Sequence, residues 1–255
     1  MISIKSPEEI KVLKEGGRIL ASVLNEVVFR VKPGVSAKEL DDLAYKLIKK
    51  SGGEPSFLNY SPPGDTKKYP ASLCVSINDE IVHGLPAADK ILREGDIVSL
   101  DLGLEYKKFF TDMSVTVGVG KISEEAKRLI DATREALERG MREMKAGGRL
   151  GDYGFVVKDF AQSAGFSVVK ELVGHGVGYI PHEDPDIPNY GKKGEGLKLK
   201  EGMVLALEPM LCEGREDVML GKDGWVWKTK DGLLSAHFEH TIVVEKDGCI
   251  VLTKI

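Results

Sequence analysis

Two aspartates in neighbouring strand-like segments are the residues best placed to do chemistry in this chain. Asp101 lies in the apolar run Ile97–Gly103 and Asp112 in the run Thr111–Val117, with only a short link between them. This pattern predicts an antiparallel hairpin, and a turn centred on residues 106 and 107 would set the two acids directly opposite each other. Cross-strand neighbours have Cβ atoms roughly 4.5–5.5 Å apart, where like charges destabilise a sheet. Either one carboxyl group is protonated or a cation lies between them.

The same arrangement occurs a second time. Arg93–Asp101 and Lys200–Glu208 each contain a basic residue, a Glu-Gly pair, an apolar stretch and an acid six residues after the glycine. The partner strand also repeats, so that Asp112 matches Glu239, and a hydroxyl residue follows each acid by two positions. An isolated acid at a strand end is more often a turn or cap residue. Acids at repeated strand positions instead indicate convergence on one centre.

Upstream segments extend this repetition. Lys32-Pro33-Gly34 opens a helical stretch that ends near residue 53, and Lys145-Ala146-Gly147 opens another that ends near residue 165. The length allows one large domain or two small ones. Because no linker-like boundary separates the halves, we expect a single two-lobed domain over residues 1–255, with pseudo-repeats at about 8–120 and 123–253.

Composition excludes several classes of function. A net charge of −4 argues against a nucleic-acid-binding surface. No segment has the apolar length of a membrane span, and the N-terminal residues lack the apolar core of a signal peptide, so a cytoplasmic location is expected. Cys74, Cys212 and Cys249 form no C-x-x-C pair, which argues against a disulfide framework or a thiolate zinc site.

Capping patterns and periodicity predict the elements around these acids. Ser6, Ser36 and Ser123 each precede an amphipathic pattern with Glu in the first turn, which is typical of a helix start. A fourth helix is expected from about 153 to 164. Strands are expected at 73–78, 81–83, 166–173, 203–208, 237–244 and 249–253, and loops at 54–72 and 183–199.

The ligand chemistry suits divalent metal ions. One divalent ion cannot balance four carboxylates, whereas two can, and an Asp/Glu set with imidazole and without thiolate suits Mn, Fe(II), Co or Zn. Five histidines are available. His175 stands between glycines that allow close approach of backbone or ligand. Strand alternation places His237 on the face of Glu239 and His240 on the opposite face.

Together these motifs resemble the type I methionine aminopeptidases over nearly the whole chain. The resemblance implies the pita-bread α+β fold, with two pseudo-symmetric halves that carry an antiparallel sheet covered by helices. The matching segments are Ser76–Gly84, Asp101-Leu102-Gly103, Thr111–Ser114, Gly174–Gly178, His182–Pro185, Glu208-Pro209-Met210 and Phe238–Thr241.

The resemblance also implies residue roles. Five residues match the ligands of a dinuclear metal centre: Asp101, Asp112, His175, Glu208 and Glu239, of which Asp112 and Glu239 would bridge both ions. His83 and His182 match two non-ligand catalytic histidines that contact the substrate, and Glu208 matches a proton shuttle. Tyr69, Cys74 and Trp225 match the pocket for the methionine side chain, while Asn78 and Ser235 resemble contacts of a monovalent cation.

The implied activity is that of a hydrolase and exopeptidase, a methionyl aminopeptidase. It would remove the initiator methionine from nascent polypeptides when the second residue is small, using a water bridged by two metal ions. The family analogy implies a monomer that docks near the ribosomal exit. Two departures concern the pocket: Pro181 stands where many members carry an aromatic residue, and the stretch Pro62–Thr66 replaces another aromatic.

Two other readings are compatible with the fold. A related aminopeptidase or dipeptidase of different residue preference would keep the metal centre and change the pocket. A non-catalytic pita-bread protein that serves as a binding module would lack metal ligands, and all five are present here.

Overall fold

The computed structural model describes residues 2–61, 64 and 66–254. The described part of the chain contains four α-helices, which fall into two consecutive pairs. They are α1 (Pro7–Val28), α2 (Ala37–Lys50), α3 (Glu124–Met141) and α4 (Leu150–Ser163). Among these helices, none combines the length and the apolar character that a bilayer crossing requires.

The predicted helix starts are confirmed in three of the four helices. The Ser6 hydroxyl accepts a hydrogen bond from the Glu9 amide, and the Glu9 carboxylate accepts one from the Ser6 amide. Ser36 caps α2 in the same way, and Ser123 caps α3 through the Ala126 amide. Helix α4 begins three residues earlier than predicted. Its cap is Arg149, whose amide donates to the Asp152 carboxylate, and the sequence has no hydroxyl residue at this position to indicate a helix start.

Short strands make up most of the remaining ordered structure. In chain order they are β1 (Glu54–Pro55), β2 (Leu73–Ile77), β3 (Glu80–Val82), β4 (Ile97–Tyr106), β5 (Phe109–Gly118), β6 (Ser167–Val168), β7 (Gly174–Gly176), β8 (Glu183–Ile187), β9 (Val204–Leu207), β10 (Met210–Cys212), β11 (Val218–Leu220), β12 (Trp227–Thr229), β13 (Ser235–His237), β14 (Glu239–Val244) and β15 (Cys249–Val251).

One nine-stranded antiparallel sheet brings both halves of the sequence together. Its order is β1-β4-β5-β14-β9-β7-β8, with β2 also paired to β4 and β15 to β14. Strand β5 of the first half therefore pairs with β14 of the second half, and β14 pairs in turn with β9. Two three-stranded sheets, β13-β10-β6 and β11-β12-β3, flank this central sheet.

Each helix pair covers its own part of the sheet. Residues of α1 and α2 pack on β2, β4 and β5 in one apolar cluster that includes Leu24, Leu40 and Leu100. Residues of α3 and α4 pack on β9, β10 and β14 in a second cluster that includes Leu137 and Tyr153. In both halves a pair of helices is thus combined with strands of the sheet. The origin of the halves by duplication and the limits of the two repeats stay predictions.

The register of the central hairpin differs from the prediction. Asp101 pairs with Ser114, and Asp112 pairs with Gly103. The turn lies at Lys107 and Lys108, whose φ values of 51° and 70° are those of a two-residue hairpin turn. The shift is two residues, so both acids remain on one face as diagonal neighbours, roughly 7–8 Å apart at Cα.

Three other strand predictions were wrong in detail. Residues 183–187 form β8 although the segment reads as a loop, because they pair with β7. The strand expected at 166–173 shortens to β6, and the one expected at 237–244 is interrupted at Phe238, which lies between β13 and β14. Outside β1, the stretch 54–72 contains no strand or helix among its described residues, as predicted.

Candidate metal centre

Four acidic side chains meet at the centre of the large sheet, where all of them are buried. Asp101 comes from β4, Asp112 from β5, Glu208 from the end of β9 and Glu239 from the start of β14, with 2–9% of each residue exposed. The neighbouring strands β5 and β14 place Glu239 opposite Ser114. The Thr241 hydroxyl accepts from the Asp112 amide and donates to the Asp112 carbonyl, at 2.8 Å each, which fixes this strand pair.

His175 joins the acids from β7. The glycines on both sides of it allow very close strand contact: a Cβ atom on Gly174 would lie 2.4 Å from the Ala206 carbonyl oxygen, and one on Gly176 would lie 2.2 Å from that of Asp184. His175 Nδ1 is 2.9 Å from the Gly176 carbonyl oxygen, to which it donates. This hydrogen bond leaves Nε2 as the acceptor nitrogen, directed away from its own strand.

These donors form two compact groups that could hold metal ions. In each group, one ligand atom per residue lies within 4.8 Å of the others: Asp112, His175 and Glu239 in one group, and Glu208, His237 and Glu239 in the other. Within the described residues, Asp101 Oδ1 and Glu239 Oε1 are buried without a hydrogen-bond partner. Carboxylate oxygens orphaned beside an imidazole fit divalent cations of the Mn, Fe, Co and Zn type.

The protonation behaviour of the acids shows the cost of burying them without such cations. Burial, together with the charges of Asp112 and Glu208, raises the pKa of Asp101 well above its usual value. The pKa of Glu208 is raised by burial and by Asp112, and that of Glu239 by burial and by all three other acids. Burial raises the pKa of Asp112 to about 7.

Glu208 is held between two imidazoles. Its Oε1 lies 3.5 Å from His175 Nε2, and its Oε2 lies 3.3 Å from His237 Nε2. Its backbone carbonyl accepts from the Asn189 side chain at 3.0 Å, and Asn189 in turn accepts from the Tyr153 hydroxyl at 2.8 Å. Helix α4 thereby sets the position of this acid through a buried polar chain.

His237 was placed on the correct face by strand alternation but received no role from the sequence. Its side chain is 1% exposed, and neither ring nitrogen has a hydrogen bond within the described structure. Burial lowers the pKa of His237 to about 3, so the ring is neutral near pH 7. His240 points away as expected, with Nδ1 3.0 Å from the Thr253 hydroxyl.

A second wall of the site carries His83 and His182. His83 follows β3 with φ of 58°, a left-handed conformation that is uncommon for histidine, and burial lowers its pKa to about 4. The His182 ring lies 4.3 Å from that of His175 between centroids, and its Nδ1 is 2.8 Å from the Tyr60 hydroxyl. Desolvation in the pocket and the two neighbouring imidazoles lower the pKa of His182, although part of the residue stays exposed at the mouth.

The three residues expected to line an apolar pocket are together. Tyr69 and Trp225 make an edge-to-face contact with centroids 5.2 Å apart, and Cys74 is the cross-strand partner of Asp101. The Tyr69 hydroxyl donates to the Gly84 carbonyl at 3.0 Å. A cavity of about 370 Å³ is lined by these residues, the four acids, His83, His175 and His182, and by Phe57, Tyr60, Val82, Glu171, Leu172, Val173 and Met210.

The structure therefore brings the residues predicted as metal ligands, catalytic histidines and pocket lining to one cavity, and adds Tyr60 to its wall. His237 lies behind Glu208 rather than in the lining, and the predicted cation contacts Asn78 and Ser235 are not in the lining either. Tyr60 lies in the irregular stretch 54–72, and nothing in the sequence indicates a role for it. His237 could have been recognised, because it lies two residues before Glu239 on the same face. Pro181 leads into His182 at the mouth of this cavity. In the stretch 62–66, Pro62, Pro63 and Asp65 lie outside the described residues.

Comparison with known proteins agrees with this geometry. The model of metallopeptidase family M24 matches residues 11–246. A prolidase structure from Pyrococcus furiosus superposes with a TM-score of 0.77 at 24% identity, covering 99% of this chain and 65% of that one, which shows a shared fold. The chain belongs to metallopeptidase family M24, and the predicted pita-bread α+β fold is confirmed.

Within this family, its full-length relatives are methionine aminopeptidases. The methionine aminopeptidase of Aquifex aeolicus is 43% identical over 100% of this chain and 99% of its own length. Methionine aminopeptidase 1 of Bacillus subtilis is 43% identical over the whole of both chains. The crystal structure of the Thermotoga maritima methionine aminopeptidase is 44% identical, with a TM-score of 0.95 and full coverage of both chains. The resemblance found in the sequence is thereby confirmed.

The contact between His237 and Glu208 generates a first prediction. We expect His237→Leu to weaken Mn²⁺ binding about 10- to 100-fold, because outer residues that orient a ligand carboxylate have effects of this size. His237→Gln keeps a polar N–H group at this position and should retain most of the affinity. Calorimetric titration of the metal-free variants measures both effects. Unchanged affinity in His237→Leu would contradict the prediction, and equal loss in both variants would indicate direct ligation by His237.

The raised pKa values generate a second prediction. The raised pKa values of the buried acids mean that protons compete with a cation for these carboxylates in the metal-free protein, and Asp112, with a pKa of about 7, is partly protonated at pH 7. Binding of Mn²⁺ should therefore release protons, and the apparent affinity should rise as the pH rises from 6 toward 8. Titrations at pH 7 in two buffers of different ionisation enthalpy measure the release, and Asp101→Asn should release fewer protons. A heat of binding independent of the buffer would refute this expectation.

Proposed function

We propose that this protein is a cytoplasmic metalloaminopeptidase that removes the N-terminal methionine from nascent polypeptides when the second residue is small. The observation that carries the proposal is the convergence of buried carboxylate and imidazole donors on one side of an apolar cavity. Full-length relatives named methionine aminopeptidases support the choice of substrate.

In this proposal, Asp101, Asp112, His175, Glu208 and Glu239 would hold two divalent ions of the Mn, Fe, Co or Zn type at the floor of the cavity. The orphaned oxygens of Asp101 and Glu239 and the free Nε2 of His175 support this assignment. When bound, such ions acidify a water molecule and polarise the scissile carbonyl group.

The protein groups then move protons and stabilise charge. Glu208 takes the proton from the attacking water and returns it to the leaving amine, as a general base and then a general acid. His83 and His182 donate N–H groups to the oxygen that becomes negative in the tetrahedral transition state. Both imidazoles have lowered pKa values, so they act as neutral donors. The Tyr60 hydroxyl beside His182 Nδ1 orients that ring.

Methionine specificity rests on the cavity wall formed by Tyr69, Cys74 and Trp225. These residues belong to one apolar cluster beside Asp101, which suits the unbranched, uncharged side chain of methionine. Aromatic edges also make favourable contacts with a thioether sulfur. We propose that crowding at the rim restricts the second residue of the substrate.

Three finer features belong to the same proposal. A monovalent cation would bind near Asn78 and Ser235, which are adjacent because the Ser235 amide donates to the Asn78 carbonyl at 2.9 Å. The protein would act as a monomer. It would meet its substrates as they leave the ribosome, which family analogy supports.

A peptide panel tests the substrate proposal. We expect rapid cleavage of Met-Gly and Met-Ala peptides, and at least about 100-fold lower kcat/KM for Met-Leu, Leu-Ala, Ala-Ala and Xaa-Pro peptides, because poor fit costs a few kcal/mol in the transition state. The panel is run with Mn²⁺ and after chelation. Preferred cleavage of Xaa-Pro or Leu-Ala peptides would favour a related peptidase of other specificity, and no metal-dependent turnover would favour a binding module.

A second test separates metal binding from charge stabilisation. His182→Ala should keep Mn²⁺ affinity and lose about 10²- to 10³-fold in kcat, as removal of one oxyanion donor does elsewhere. Asp112→Asn and Glu239→Gln should instead lose metal and activity together. His240→Gln, on the opposite face of β14, serves as the matched control. Near wild-type kcat in His182→Ala would exclude its proposed role.

A further inference from the structure

The side chain of Lys5 is completely buried although it belongs to the segment before the first helix. Its Nζ lies 2.7 Å from Glu183 Oε2, and the side chains are 0% and 9% exposed. The Ser3 hydroxyl donates to the same carboxylate oxygen, and the Lys5 amide donates to the Gly202 carbonyl at 2.9 Å. Residues 3–5 are therefore attached to a part of the chain almost 180 positions away.

The other oxygen of Glu183 holds the loop that precedes it. Glu183 Oε1 accepts from the Tyr179 amide and from the Ile180 amide, the latter at 3.3 Å. One carboxylate thus connects the N-terminal segment on one side with two backbone amides on the other. Because His182 lies between Ile180 and Glu183 in sequence, its backbone is enclosed by these contacts.

Packing around Lys5 matches this arrangement. A Cβ atom on Gly178 would lie 2.4 Å from Lys5 Cε, so the lysine stem packs directly against the loop backbone and would have to shift for any larger residue there. Lys5 Nζ lies 4.6 Å from the centroid of the Tyr179 ring, and the Tyr179 hydroxyl donates to Glu9 at 2.9 Å. The loop is therefore attached both to residues 3–5 and to the first turn of α1.

We propose that Lys5 is a positioning residue, which holds the loop of residues 179–183 through Glu183 and thereby sets His182 against His175 and Tyr60. The inference rests on the proposed function, since it assigns a catalytic role to His182. The loop has no helical or strand hydrogen bonds between Tyr179 and His182. Besides one backbone hydrogen bond, from the Gly178 amide to the Ile180 carbonyl at 3.3 Å, side-chain contacts hold its conformation.

Lys5 and Glu183 form a buried ion pair, and removal of one partner destabilises the other. Loss of the ammonium group would leave the Glu183 carboxylate buried without its cation, which is strongly unfavourable. The carboxylate would then move toward water and release the Tyr179 and Ile180 amides. A displacement of about 1 Å at His182 is sufficient to reduce a rate about 100-fold.

The experiment uses the full-length, metal-loaded protein and a Met-Ala peptide. Lys5→Met should lower kcat about 10- to 100-fold while KM and Mn²⁺ affinity change little, because the metal ligands lie on other elements. Glu183→Gln removes the charge of the other partner in this ion pair and should lower kcat by a similar factor. Lys107→Met is the matched control, because it removes an exposed lysine paired with Glu15 at 2.9 Å, and it should leave kcat unchanged.

A double-mutant cycle with His182→Ala identifies the route of the effect. If Lys5 acts through His182, Lys5→Met should have no further effect on kcat in the His182→Ala background. Additive losses, or unchanged kcat in the single variant, would overturn the proposal. Should Lys5→Met not fold, Glu183→Gln is carried through the same cycle and decides the question.

A readout without metal or substrate separates this proposal from the proposed function. Hydrogen exchange of the Tyr179 and Ile180 amides in the metal-free protein should accelerate in Lys5→Met and stay unchanged in Lys107→Met. Unchanged exchange would overturn the positioning role even if the enzyme cleaves methionine peptides. Faster exchange in a protein that cleaves no peptide would support the loop contact and refute the proposed function.

Discussion

The burial of four carboxylates in one place is the constraint on which the rest of this structure depends. Each acid alone would be costly to remove from water, and together they repel one another, as the raised pKa values of Asp101, Glu208 and Glu239 show. A protein can keep such a cluster in two ways, by protonation or by cations. The imidazole of His175, whose Nε2 faces Glu208, indicates that the cluster is built for cations.

The sheet supplies the rigidity that this cluster requires. Asp101 is paired with a strand on each side, Asp112 and Glu239 each have a strand partner on one side, and Glu208 directly follows β9. The sheet backbone therefore positions all four acids. Polar side chains add to this fixation where the halves meet: the Thr241 hydroxyl bonds both backbone groups of Asp112, and the Thr116 hydroxyl does the same for His237 at 2.8 Å. Repelling groups therefore stay close together because the backbone does not allow them to separate.

Periodicity and repetition sufficed to predict that the four acids converge, since a strand fixes the face of each side chain. Alternation put Asp101 and Asp112 on one face, and this result survived a register error of two residues because the side-chain period is also two. The register itself depended on a turn of two lysines with positive φ, a conformation that their identity does not signal. The segment 183–187 was not recognised as a strand because its residue pattern does not indicate one, and its extended conformation depends on pairing with β7.

Contacts between distant segments were the part that the sequence could not provide. The hydroxyl of Tyr60 against His182, and the nearness of His237 to Glu208, join residues with no shared pattern. Family resemblance assigned roles to the matching motif positions, but it gave none to these partners. They became visible only when distances between side chains were available.

The two walls of the site are therefore stabilised by different physical means. The wall with the acidic cluster belongs mainly to the sheet and is held by backbone pairing, whereas His182 lies on a loop held by side chains from residues 3–9 and from Tyr60. None of the proposed metal ligands lies on this loop, so breakage of a side-chain contact can displace it without disturbing the acids. In the proposed mechanism, metal affinity and transition-state stabilisation are therefore separable, and changes far along the chain would alter the second without the first.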